Sequence, residues 1–120
     1  MTSQVDFNGL DSVVHGPVRL GILTLLHLDG PLDFTALKKR LNVPDGALGS
    51  HLQKLEEKSY ISVKREFVGK RPRSTYRLLP AGRAAFVGHL RNLKSIIDAV
   101  EGPAPETKAQ RDSEHIRFAR

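Results

Sequence analysis

The groups in this sequence that could do chemistry are cations, and they are bunched. Lys70, Arg71 and Arg73 fall within four residues, Lys64 and Arg65 stand shortly before them, and Lys38, Lys39 and Lys54 lie upstream. Ammonium and guanidinium groups held close together bind phosphate oxygens. Residues 31–80 hold eleven Lys and Arg against five Asp and Glu, a balance of +6 that equals the formal net charge of the whole chain. Positive charge confined to one segment is the footprint of a phosphate-binding face. Ser50, His51 and Gln53 stand beside Lys54. A serine can meet a phosphate or a base, a glutamine can pair bidentately with adenine, and a lysine can reach a guanine or a phosphate. His51 falls on the flank of a leucine stripe, where a bond to backbone and a contact with phosphate are equally open.

Other chemistries do not assemble. The sequence holds no nucleophile motif, no Gly-rich phosphate loop and no carboxylate pair at a catalytic spacing, so neither an enzyme nor a cofactor is expected. There is no cysteine, which removes disulfides, thiolate nucleophiles and thiolate metal sites. His15, His27, His51, His89 and His115 show no close ligand spacing, so no metal site is expected. The longest apolar stretch, residues 20–28, is too short to span a bilayer, and the first ten residues lack the basic start and apolar core of a secretory signal. A cytoplasmic protein without a membrane partner is the expectation.

The elements that must position the cations can be read from punctuation and period. Asn8 or Asp11 could cap a helical turn over residues 10–15. Gly16-Pro17 then opens a helix whose residues 18–28 are apolar on nearly every side, which predicts burial on more than one face. Asp29-Gly30-Pro31 ends it, and Leu32 could add a short edge strand. Asp33 is placed to cap a helix with Phe34, Leu37 and Leu41 inward and Lys38, Lys39 and Arg40 outward. Asn42-Val43-Pro44 is a turn, after which Asp45 is expected to cap a second helix with Leu48, Leu52 and Leu55 inward. Gly46, Ser50, Gln53, Lys54 and Glu57 then form its outer face. Residues 60–65 and 74–78 alternate apolar and polar, as half-exposed strands do. Residues 69–73, Gly-Lys-Arg-Pro-Arg, join them as a basic loop.

A last helix from Pro80 to about residue 100 repeats Phe86, Leu90, Leu93, Ile97 and Val100 at steps of four and three. That seam asks for a partner helix. Together with Val14, Val18, Ile22 and Leu25 it exceeds what one small domain is expected to absorb, and a symmetric homodimer built from the first and last helices is preferred. Leu23, Leu26, Phe86 and Leu90 could instead border an effector pocket, a filled core being the simpler expectation; a small-molecule effector would be of unknown identity. Residues 1–9 and 101–120 are polar and patternless and are expected to be flexible, although Lys108, Arg111, Arg117 and Arg120 in the tail could add nonspecific contacts.

Helix, short turn, helix and a basic two-stranded hairpin, in that order, are the layout of a winged helix-turn-helix. The expected fold is therefore α+β and mostly helical, with a two-stranded wing and a long C-terminal dimerisation helix in one domain over residues 10–100. The expected partner is double-stranded DNA; a winged-helix module meeting an acidic protein remains open.

The stretches HGPVRLGILTLL, DFTALKKRL, DGALGSHLQKLEEKSYI, FVGKRPRSTYRLLPAGRAAF and HLRNLKSII resemble a family of small prokaryotic winged-helix transcriptional regulators related to the MarR and ArsR groups. The resemblance implies a homodimer on a pseudo-palindromic operator, with Ser50, His51, Gln53 and Lys54 in the recognition helix and Lys70, Arg71 and Arg73 in the wing. Three positions depart from the pattern. Ser59 stands where relatives usually have a glycine, so its left-handed cap is expected to be strained or rearranged. Ala47 replaces a residue that is often polar, and Leu79 replaces the usual Ser or Thr cap of the last helix. The cysteines of metal-sensing relatives are missing.

Overall fold

A computed structural model describes residues 11–102 of the 120-residue chain. The proposed Asn8 cap, the segment 1–9 and the tail from residue 103 lie outside the described residues. The elements run α1 (Pro17–Asp29), β1 (Leu32–Asp33), α2 (Phe34–Leu41), α3 (Asp45–Glu57), β2 (Ile61–Val68), β3 (Arg71–Leu78) and α4 (Pro80–Glu101). The three strands form one antiparallel sheet in the order β1-β3-β2. This is the winged helix-turn-helix the element order predicts.

Local signals explain most boundaries. Asp11 caps a turn ahead of α1, its carboxylate accepting from Val13 and Val14 backbone N–H groups at 2.8 and 3.2 Å. Pro17 opens α1, and the Asp33 carboxylate accepts from the Ala36 N–H at 2.8 Å to start α2. Asn42 ends α2 in the left-handed region at φ 55°, a conformation that Asn tolerates better than most residues. One cap differs from expectation. Asp45 is the first residue of α3 and makes no capping bond, because Pro44 occupies the cap position in extended geometry. The Asp45 carboxylate instead pairs with Lys38 of α2 at 2.7 Å, across the turn.

The core gathers around α1. Ile22, Leu23, Leu37, Leu48, Leu52 and Leu55 are all essentially without solvent contact, and Ile61, Tyr76 and Phe86 join them. Each buried leucine of this kind contributes roughly 2 kcal/mol. The helix that reads as apolar all round is thus covered by α2, α3, α4 and β3. Of the four residues named for a conceivable effector pocket, Leu23, Leu26 and Phe86 are buried side chains of this cluster and Leu90 is exposed.

The hairpin departs from the basic-loop expectation. β2 and β3 are each eight residues long and pair without interruption from Ile61 opposite Leu78 to Val68 opposite Arg71. Only Gly69-Lys70 is left as the turn. Gly69 has φ 66° and Lys70 is not in the left-handed region, the Gly-first arrangement that matches the twist of a tight hairpin. Arg71, Pro72 and Arg73 are therefore strand residues. Pro72 is accommodated because β3 there has β2 as its sole neighbour, β1 reaching only Thr75 and Tyr76.

α3 ends in a Schellman arrangement built on a serine. The Ser59 N–H donates to the Glu56 carbonyl at 2.8 Å and the Tyr60 N–H to the Leu55 carbonyl at 3.0 Å. Ser59 has φ 59°, so the left-handed cap is kept and carries a Cβ that costs about 1 kcal/mol there. Ser59→Gly is expected to raise the unfolding free energy by about that amount, read as a higher urea midpoint at unchanged slope. A lower midpoint would show that the serine hydroxyl does compensating work.

α4 begins without a side-chain cap, on Leu79 and Pro80. The Leu79 N–H is nevertheless satisfied by the Tyr60 carbonyl at 2.9 Å. That bond ties the start of α4 to the end of α3, and it requires Gly82. A Cβ at residue 82 would collide with the backbone of Tyr60.

Candidate nucleic-acid interface

Two elements bring the cations together. Leu48, Leu52 and Leu55 pin one side of α3 into the core. The other side is left in solvent, with Gly46, Ala47, Ser50, Gln53, Lys54 and Glu57 all exposed. Small residues in the first turns let a helix of this kind approach a duplex closely. Gln53 is lightly held, its Nε2 donating to Glu57 Oε2 at 3.4 Å.

The hairpin supplies the second set. Register places Lys64, Glu66, Arg71 and Arg73 on its outer face. Glu66 lies 3.9 Å from Lys64 and 3.7 Å from Arg73, while Arg65, on the inner face, lies 3.9 Å from Glu56 of α3. Exposed pairs at such distances contribute little to stability, and phosphates can replace the carboxylates at small cost. Lys39, Lys54, Lys70 and Arg71 take part in none of the ion pairs among the described residues. Lys38 and Lys39 are exposed on α2.

His51 bonds to a side chain of another helix rather than to backbone. Its Nδ1 lies 3.1 Å from Arg19 Nη1 of α1, and the same guanidinium donates to the Ser12 and His15 carbonyls at 3.2 and 3.4 Å. Arginine can only donate, so Nδ1 accepts and Nε2 carries the imidazole proton. Burial, with Arg19 and Lys54 nearby, holds the His51 pKa below its ordinary value. His51 is thus a neutral donor on the edge of α3, oriented by α1. A lone arginine in an apolar helix was the only sequence cue, since the partners are 32 residues apart.

A second polar cluster braces the segment ahead of α1. Tyr60 Oη donates to Asp11 Oδ2 at 2.7 Å. That bond, reinforced by burial and the carboxylate charge, pushes the Tyr60 pKa up to about 12. His15 Nδ1 meets His89 Nε2 of α4 at 3.2 Å with the rings edge to face. Burial and the neighbouring His15 lower the His89 pKa, so the ring is neutral at neutral pH. Both contacts span more than 40 residues of sequence, which hides them from local reading.

The residues proposed for subunit contact separate into two groups. Val14, Ile22 and Phe86 are buried inside the subunit and have no surface to offer a second copy. Val18, Leu25 and Leu93 are half-buried. Leu90, Ile97 and Val100 remain open to solvent, and exposure rises along α4 from 41% through 53% to 80%. The seam in the sequence thus serves the core at Phe86 and is increasingly uncovered beyond it, with Leu93 still half-buried.

Comparison with known proteins agrees with this geometry. The family model described as "Winged helix DNA-binding domain" matches residues 18–97, and the chain belongs to that family. It is 30% identical over 89 residues to the uncharacterized protein MJ0432 of Methanocaldococcus jannaschii, covering 74% of this chain and 97% of that protein. Among solved structures it resembles the transcriptional regulator homologue protein from Pyrococcus horikoshii OT3, at 28% identity and a TM-score of 0.67, over 73% of this chain and 87% of that one. A MarR family transcriptional regulator from Silicibacter pomeroyi shares the fold at a TM-score of 0.58 and 19% identity, over 90% of this chain and 70% of that one. Fold and family are those of DNA-binding proteins, not of enzymes. No helix among the described residues is long and apolar enough to cross a membrane.

Proposed function

We propose that the chain is a sequence-specific transcriptional regulator, acting as a homodimer on a pseudo-palindromic operator and repressing by steric exclusion of polymerase. The observation that carries this reading is the free face of α3, pinned from behind by three leucines and flanked by a cationic hairpin. Each subunit lays α3 in a major groove, with half-sites about 10 base pairs apart. Ser50, His51, Gln53 and Lys54 face base edges and phosphates; Lys38, Lys39, Lys64, Arg65, Lys70, Arg71 and Arg73 neutralise the backbone. Contacts between subunits come from Leu90, Leu93, Ile97 and Val100, with Val18 and Leu25 at the margin. No cofactor takes part.

Fluorescence-anisotropy titration of a duplex selected from random sequence tests this. With about eight phosphates neutralised per dimer, log affinity falls against log salt with a slope near −7. Arg71→Ala weakens all duplexes alike and makes the slope shallower by about 1, whereas Gln53→Ala changes preference at one base position. Affinity independent of salt would refute the reading.

A further inference from the structure

The tip of the β2–β3 hairpin carries apolar surface where phosphate binding alone calls for charge. Phe67 is 74% exposed and Val68 48%, in the midst of Lys64, Arg65, Lys70, Arg71 and Arg73. Register pairs Phe67 with Pro72, directly beyond the Arg65–Ser74 and Val63–Tyr76 pairs. Those pairs lie on the sheet face that carries the buried Ile61 and Tyr76. The same face adjoins α3, because Arg65 lies 3.9 Å from Glu56. Phe67 therefore extends the face that looks toward the recognition helix, about 7 Å further along the strand than Arg65. On the opposite face at the same level stand Arg71 and Arg73.

An occupant of this tip must offer apolar surface and negative charge together, within the width of one hairpin. A DNA minor groove does so: it is about 6 Å wide, its walls are sugars and base edges, and its rims are phosphates. We propose that Phe67, backed by Pro72, is a minor-groove wedge that presses into a base step beside each half-site. The protein then selects deformable pyrimidine–purine steps at a position that α3 does not touch. Arg71 and Arg73 hold the flanking phosphates while the phenyl ring reads how easily the step opens. This inference rests on the DNA-binding reading above and adds a residue that determines specificity.

The test uses the full-length protein and a duplex that the wild type selects from a random pool, carrying 2-aminopurine at the step nearest the wing and a fluorophore pair at its ends. Wild type is expected to brighten the 2-aminopurine and to shorten the end-to-end distance. Phe67→Ala, at an exposed position and so expected to fold, should abolish both signals, flatten the preference at that step and weaken this duplex about tenfold. Its salt slope and sedimentation should stay those of wild type. Phe67→Met, which keeps an apolar wedge, should retain the step preference. If Phe67→Ala selects the same step and brightens the probe as wild type does, the wedge is overturned while the DNA-binding reading stands. Dissociation of Phe67→Ala into monomers also overturns it, by marking the tip as a subunit contact. A wild type that selects no duplex overturns both readings.

Discussion

Gly82→Ala is expected to remove most of the protein's stability, while the same replacement six residues later, at Gly88, should increase it. Both glycines lie within α4, where exchange for alanine ordinarily stabilises by about 0.5–1 kcal/mol. Nothing lies within 4 Å of a Cβ at residue 88, so Gly88→Ala should show this gain. At residue 82 the Cβ meets the carbonyl oxygen, carbonyl carbon and Cα of Tyr60. Those are backbone atoms, and they cannot swing aside as a side-chain end would. Tyr60 is fixed on three sides: by its N–H on Leu55, by its carbonyl on Leu79, and by its hydroxyl on Asp11. Admitting the methyl group means moving α4 off the end of α3 and losing the Leu79 bond, at a cost of roughly 3 kcal/mol or more. Thermal unfolding followed by circular dichroism should show a loss of more than about 10 °C in Tm for Gly82→Ala and a small rise for Gly88→Ala. Equal shifts of the two variants would mean that α4 is free to slide on Tyr60.

The contrast between these glycines also marks how far local reading carries. Asp33, Leu48, Leu52 and Leu55 are legible because caps and helical period are properties of adjacent residues. Ser59 is legible through the family resemblance, in which a glycine usually forms the left-handed cap after this helix. Gly82 is not, since its neighbour belongs to another element and the close approach leaves no mark in the pattern of residue types. The hairpin misleads for a related reason. Lys70, Arg71, Pro72 and Arg73 have the composition of a loop, yet strand pairing with residues 66–68 extends the ladder through Arg71, Pro72 and Arg73. Composition reports what a segment could do alone, and pairing overrides it. At the candidate site the cations and the free face of α3 can be read from sequence, whereas the Arg19 contact that orients His51 requires the fold.

The same distinction governs the last helix and leads to the prediction with the widest consequence. A period of three and four shows which side of α4 is apolar; it does not show what covers that side. The subunit covers only the first part: the buried residues of α4 are Gly82, Phe86 and His89. From Leu90 onward the helix continues to Glu101 with Leu90, Ile97 and Val100 in solvent and Leu93 half-buried. A helical end of about three turns with little packing is marginal in water, and on the proposed dimer a second helix laid against it would cover this face. On the proposed dimer, Ile97→Glu combined with Val100→Glu places like charges across the two-fold axis and should yield a folded monomer. Folding is spared because neither side chain belongs to the core. Sedimentation velocity should show half the mass with an unchanged far-ultraviolet spectrum. Affinity for a two-half-site operator should fall at least 100-fold, because the second recognition helix no longer binds intramolecularly. Binding to an isolated half-site should change little. A variant that stays dimeric would place the subunit contact away from this face and leave the exposed side of α4 without its proposed partner. A monomer that kept full operator affinity would detach DNA recognition from pairing and reduce the binding unit to one α3 with its wing.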